Sequence, residues 1–227
     1  MNRNICEYSK IGEYHRKNHL ENQDYLYVQE TDKGIFCAVA DGVSACENSR
    51  QGAEIACKVS AKVILDDIDY YFEASREKTI NLVLSNVRNH IRRAAEAADQ
   101  SGDSFASTLC FICIHKQKKQ RMTFVLGDSK AYSLQPNRIS QLNPVREYAD
   151  NVTCTTMTRS AGKDAGLSVE PFGDSEGLLL CTDGCWKALF DGDVNRVKPL
   201  QINNIDNVKT YLDSVGNGDD CSFLAVV

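Results

Sequence analysis

Aspartate recurs in this sequence where apolar runs begin or end. Asp24 precedes YLYV, Asp41 follows IFCAVA, Asp128 follows MTFVLG, Asp183 follows LLLCT, and Asp219 and Asp220 precede CSFLAVV. Glycine stands beside three of them, as Asp41-Gly42, Gly127-Asp128 and Asp183-Gly184. A lone Asp-Gly is most often only a turn. An ordered series at strand ends says more. If the strands lie side by side, the carboxylates meet at one end of the sheets, where like charges repel and some groups take up protons. Bound divalent cations relieve that repulsion. Every candidate ligand is an oxygen, with no His or Cys among them, which selects hard ions such as Mg²⁺ or Mn²⁺ over Zn²⁺. Glycine lets the backbone turn sharply and lets its carbonyl approach a ligand closely.

The elements that must position these groups follow from periodicity. DYLYVQETDKGIFCAVAD reads as two strands joined at Thr31–Gly34. NSRQGAEIACKVSAKVILDDI is a helix with Ala53, Ile55, Ala56, Val59, Val63 and Ile64 on its apolar face. A longer helix follows, with Ser75 as its N-cap and Gly102 as its end. SFASTLCFICIHKQ and QRMTFVLGDSKAYSLQ form a hairpin, and RISQL adds a strand after the Pro136-Asn137 turn. From Asn143 to Gly173 the chain is polar and weakly patterned, an irregular segment or lid that carries at most a strand. EGLLLC, a short helix at Trp186–Phe190, a helix around Asn204–Val215 and the strand CSFLAVV complete the chain, which reads as one domain over 1–227.

Composition narrows the class. The chain has 227 residues, 42% hydrophobic and 25% charged, with a formal net charge of −5. That is ordinary globular composition, and the negative balance disfavours nucleic acid or an anionic membrane as partner. The basic run HKQKKQR reads as a solvated hairpin tip. No apolar run is long enough to span a bilayer, and the N-terminus lacks a signal-peptide core, so a cytoplasmic location is expected. The ten cysteines are then small buried thiols in a reducing compartment. Cys110 and Cys113 have the spacing of half a zinc site, but mid-strand they point to opposite faces.

The series Gln-Asp, Asp-Gly, Gly-Asp-Ser, Asp-Gly, Asp-Asp-x-Ser resembles the metal-dependent serine/threonine protein phosphatases of the type 2C (PPM) family, and is most similar to its compact bacterial branch. The matching segments are GEYHRKNHLENQDYLYV, FCAVADGVSACENSRQGAEIA, SFASTLCFICI, FVLGDSKAYSL, LLLCTDGCWKAL and GDDCSFLAVV, in family order from about Gly12 to Val227. The resemblance implies an α+β fold, an α-β-β-α four-layer sandwich of two mostly antiparallel sheets flanked by helices. It implies a hydrolase for phosphoserine and phosphothreonine in proteins, using a hydroxide between two Mg²⁺ or Mn²⁺ ions for in-line attack, with a partner kinase supplying the substrate. Carried over, Asp41 bridges the metals and the Gly42 carbonyl binds one of them. Asp183 and Asp219 hold the other, Asp24 acts through metal-bound water, and Asp128 matches a third, weaker site.

Four departures stand beside this. Gln23 replaces an acidic residue. His19 occupies the usual phosphate-binding Arg position, leaving Arg16 as the substitute candidate against a merely solvated basic loop. Lys187 stands where many members carry an acid, which disfavours a third metal at Asp128. The 143–173 segment lacks the family's flap landmarks. Asp219 and Asp220 remain alternatives for the final ligand. Two other functions stay open: a non-catalytic regulatory or phosphoprotein-binding module, and a phosphatase for a small phosphorylated metabolite. Oligomeric state is unread.

Overall fold

The computed structural model describes residues 3–136, 138–143, 154–190, 205–216 and 218–227. Two five-stranded sheets lie face to face, and every pairing is antiparallel. The first sheet has β1 (Ile5–Lys10), β10 (Cys221–Val226), β9 (Gly177–Cys181), β6 (Lys130–Gln135) and β7 (Arg138–Leu142) in that spatial order. The second has β2 (Asp24–Glu30), β3 (Gly34–Asp41), β4 (Leu109–His115), β5 (Gln120–Leu126) and β8 (Gly166–Pro171).

Alternation along the central strands builds the layers. On β3, Ile35, Cys37 and Val39 face the first sheet and pack with Leu178, Leu180, Leu224 and Val226. Phe36, Ala38 and Ala40 face outward into a cluster with Ala53, Ala56, Val83 and Val87, contributed by α2 (Ser49–Asp66) and α4 (Arg76–Ala98). The short α3 (Ile68–Glu73) links those helices. On the other outer face, Leu179, Cys181 and Phe223 pack against α6 (Asp183–Phe190) and α7 (Ile205–Ser214). Helix, sheet, sheet, helix is the expected four-layer sandwich, and buried strands on both faces explain why β3 and β4 are apolar throughout.

Several details depart from expectation. The N-terminal ICEYSK is an edge strand, β1, and Glu13–Lys17 forms a short helix, α1; neither was anticipated. Ser75 caps α4 by accepting the Lys78 N–H, but the helix ends at Asp99, which is left-handed (φ 53°), before Gly102 is reached. Of the 143–173 segment, residues 144–153 lie outside the described residues. Its later part makes a helical turn, α5 (Ala161–Asp164), and then β8, which extends the second sheet beside β5. Cys110 and Cys113 do point to opposite faces, one between the sheets and the other under the helices. None of the ten cysteines is in a disulfide, and burial pushes the Cys37 thiol up to about 12.

Candidate active site

The β2–β3 hairpin places Asp24 directly opposite Asp41, at the end of the second sheet. The first sheet brings its own end to the same place. Thr182, just after β9, donates its hydroxyl to Asp24 Oδ2 at 2.8 Å, so one hydrogen bond ties the two sheets together. Asp183 opens α6 rather than preceding a helix at Trp186, and its carboxylate sits in the first turn, where the helix dipole favours negative charge.

The backbone of Asp41 is held on both sides by Thr108. Its N–H donates to Thr108 Oγ1 at 2.9 Å, and its carbonyl accepts the Thr108 N–H at 2.8 Å. Thr108 Oγ1 also lies 2.8 Å from Ser129 Oγ. The SFAST and Gly-Asp-Ser segments therefore share a buried hydroxyl pair beneath Asp41, and Asp128 stands next to it. The Asp128 carbonyl accepts the Trp186 indole N–H at 2.8 Å, which fixes the Gly-Asp-Ser turn against α6.

Both Asp-Gly pairs are explained by close approach. A Cβ on Gly42 would lie 2.8 Å from the backbone carbon of Ser49, at the start of α2. A Cβ on Gly184 would lie 2.1 Å from the carbonyl oxygen of Asp220. Side chains at these positions would push α2 and α6 away from the carboxylate-bearing ends.

The electrostatics show these carboxyls within one another's range. Desolvation first, then the charges of Asp24, Asp183, Asp128 and Asp219, hold the Asp41 carboxyl well above the usual carboxylate range. Desolvation raises Asp24 to about 7 against the opposing hydrogen bonds from Thr182 and Ser222, and Asp220 and Asp183 push the same way. Asp219 is also raised, by desolvation and then by Asp183.

Asp219 and Asp220 divide their work. Asp220 is buried and accepts three hydrogen bonds, from Gly12 N at 2.7 Å, Gln23 N at 2.6 Å and His15 Nδ1 at 2.8 Å. Asp219 is exposed and accepts only the Asp220 N–H among the described hydrogen bonds. Arg16, the candidate phosphate-binding cation, lies on the solvent side of α1. Its side chain is 66% exposed on α1, with Glu13 at 3.9 Å as its ion-pair partner. The residue of α1 that turns inward is His15, which sequence reasoning passed over. Its partner lies 205 positions away, and a five-residue helix shows no periodicity from which an inward face is read.

Lys187 reaches back along α6 to place Nζ 2.6 Å from Asp183 Oδ2. Desolvation pulls the ammonium down, but that hydrogen bond and the charges of Asp183, Asp128 and Asp219 outweigh it and raise its pKa.

The family model for protein phosphatase 2C matches residues 11–210. The chain belongs to the protein phosphatase 2C family. The solved structures agree on the fold. The S. agalactiae serine/threonine phosphatase is 16% identical with a TM-score of 0.67, covering 99% of each chain. PppA, a key regulatory component of T6SS in Pseudomonas aeruginosa, is 16% identical with a TM-score of 0.68, covering 100% of this chain and 97% of that one. RsbX in complex with magnesium is 13% identical with a TM-score of 0.63, covering 99% and 94%. No curated protein matches the chain by sequence. No described helix is long and apolar enough to cross a membrane.

Among the described residues, no group of three or more His, Cys, Asp and Glu side chains lies where it could hold a metal ion as it stands. The donor chemistry nevertheless fits a hard divalent ion. Asp24 Oδ1 and Asp183 Oδ1 are buried without a hydrogen-bond partner, and the charge of Asp183 helps to raise the carboxyls of Asp24 and Asp41. A cation answers both the orphaned oxygens and the repulsion.

Proposed function

We propose that this protein phosphatase 2C member is a metal-dependent enzyme that removes phosphate from phosphoserine and phosphothreonine in proteins. The observation that carries this is the convergence of Asp24, Asp41, Asp128, Asp183 and Asp219 on one end of the two sheets, with Asp24, Asp41 and Asp219 raised by desolvation and by neighbouring carboxylates. Asp41, the Gly42 carbonyl, Asp183 and Asp219 would hold two Mg²⁺ or Mn²⁺ ions, with Asp24 behind them and Asp128 as the group for a third, weaker ion. When bound, such ions supply Lewis acidity, neutralising phosphoryl charge and lowering the pKa of water.

The chain's own residues supply positioning. Thr182 orients Asp24, the Thr108–Ser129 pair fixes the Asp41 backbone, and Asp220 gathers Gly12, His15 and Gln23 so that α1 and the start of β2 stay on β10. Cysteine is not the nucleophile in this reading. Burial raises the thiols of Cys46 and Cys185, the two nearest the motifs, away from the reactive thiolate. A serine/threonine kinase supplying the phosphoprotein, a cytoplasmic setting and a single catalytic domain complete the proposal.

A second reading has its own observation. Lys187 already pairs with Asp183, so one carboxylate of the candidate metal end has a cation from the chain itself, which favours a module that keeps the fold without catalysis. Hydrolysis of a phosphothreonine peptide separates the two, measured with EDTA, Mg²⁺ or Mn²⁺ for the wild type and Asp183→Asn. Turnover that needs the metal and collapses in the variant supports the phosphatase. A folded protein with no turnover under any metal supports the binding module.

A further inference from the structure

Away from the carboxylates, a cleft of about 530 Å³ opens between α4 and the segment around α5. Four cations line it: Arg88 and Arg92 from α4, and Arg159 and Lys163 from the opposite wall. Glu77 is the one carboxylate among the lining residues. Elsewhere the chain pairs its lysines closely, as in Lys33–Asp69, Lys58–Glu54, Lys62–Asp66, Lys116–Glu30 and Lys118–Glu73. Among the described residues none of the four cleft cations has a carboxylate within ion-pair distance. On a chain of net charge −5, such a local excess invites an anionic ligand.

The shape of the cleft says which kind. Its α4 wall runs from Glu77 to Arg92, about 22 Å at 1.5 Å per helical residue, which is the reach of roughly seven extended residues. No lining residue is aromatic, so a nucleobase finds no ring to stack on. The cleft is also wired to the carboxylate end. Arg88 donates from Nε to the Thr156 carbonyl at 2.8 Å and from Nη2 to the Thr158 carbonyl at 2.6 Å. The Thr156 N–H in turn donates to Ser107 O at 2.9 Å, and Ser107 bridges Gly42.

We propose that this cleft docks an extended acidic segment of the phosphoprotein partner. The inference rests on the phosphoprotein reading above and assigns to it a preference for acidic flanking sequence. The aspartate-rich end by itself repels such a segment; the four cations offset that repulsion and hold it alongside.

The test is direct binding, so it does not depend on turnover. A fluorescein-labelled, unphosphorylated seven-residue Glu/Asp-rich peptide is titrated with the wild type and with Arg159→Glu/Lys163→Glu, reading anisotropy at about 0.05 M and about 0.3 M salt. Both positions are exposed, whereas Arg88 is left intact because it braces the Thr156–Thr158 turn. Lys62→Glu, at an exposed position of α2 that does not line the cleft, serves as the charge control. The expected result is saturable, salt-sensitive binding to the wild type and to Lys62→Glu, weakened about tenfold or more in the double variant. Equal affinity for all three proteins overturns the proposal, as does no binding at low salt. Labelled oligothymidylate that binds in place of the peptide, and loses affinity in the double variant, also overturns it and makes the cleft a nucleic-acid site. A protein that docks the peptide yet hydrolyses no phosphopeptide refutes the enzyme reading and leaves the cleft standing.

Discussion

Lys187 Nζ and Asp183 Oδ2 lie 2.6 Å apart, one turn along α6, with Asp183 almost buried and Lys187 more than half exposed. The ammonium thus holds an oxygen that a divalent ion would claim. Removing it should favour the ion. Because Lys187 is solvent-screened, the gain is modest: Lys187→Ala should tighten Mn²⁺ binding on the order of tenfold, far short of a thousandfold. Isothermal titration with Mn²⁺ reads this directly. An unchanged or weaker affinity would mean that Lys187 supports the metal end rather than competing for it.

Asp220 is a hub of three donors, and its two oxygens are used differently. Oδ1 accepts from Gly12, while Oδ2 accepts from both Gln23 and His15. An asparagine amide satisfies the first and sets its NH₂ against the Gln23 N–H, an obligate donor, while His15 Nδ1 meets that NH₂ as an acceptor only by changing tautomer. Asp220→Asn should therefore cost about 1–3 kcal/mol, the scale of stranding one buried donor. Urea denaturation measures it. A loss below about 0.5 kcal/mol would show that α1 and β2 need no such anchor.

Stability of the metal-free protein should depend on Asp24 with a definite sign. Its carboxyl is raised in the fold from 3.8 to about 7, chiefly by desolvation. The folded state then binds a proton that the unfolded state has released, so this group's stabilisation is present below pH 4 and is lost as pH rises toward 7. Asn at this position is neutral throughout and still accepts from Thr182. In EDTA, the melting temperature of Asp24→Asn should gain on that of the wild type between about pH 4 and about pH 7, and Mg²⁺ should close the gap. A gap that is constant or shrinks with pH contradicts the assignment.

Much of this architecture is readable from residue order, for reasons the layers make plain. Strands buried on both faces, such as Ile35–Ala40 and Leu109–Ile114, have continuous apolar runs that no exposed element imitates. The edges are harder. Glu7 and Ser9 leave β1 half polar, and β8 ends at Pro171, so neither stands out from loop sequence. At the site, the aspartates are visible because they recur in series at the ends of apolar runs, and their grouping follows from the resemblance. What holds them is not visible. Asp220 gathers residues 197 to 208 positions away, a relation that exists only once β10 lies beside β1. The same distance hides the choice between His15 and Arg16, which depends on how α1 is rotated by its contact with Asp220.

The Asp-Gly pairs offer the sharpest check on packing at the carboxylate end. On an exposed helix, replacing Gly with Ala stabilises by about 1 kcal/mol through propensity alone. At Gly184 the new methyl would sit 2.1 Å from the Asp220 carbonyl oxygen, which belongs to backbone and has no rotamer with which to yield. The clash should win, and α6 must move away from β10, taking Asp183 with it. Gly184→Ala is therefore expected to lose about 2 kcal/mol or more in urea denaturation and to weaken Mn²⁺ binding together with stability. Gly173 supplies the contrast, since a Cβ there meets nothing within 4 Å; Gly173→Ala should leave both stability and Mn²⁺ affinity within experimental error. If Gly184→Ala behaves like Gly173→Ala, the approach of α6 to Asp220 is not what sets the second Asp-Gly, and the turn alone would account for it.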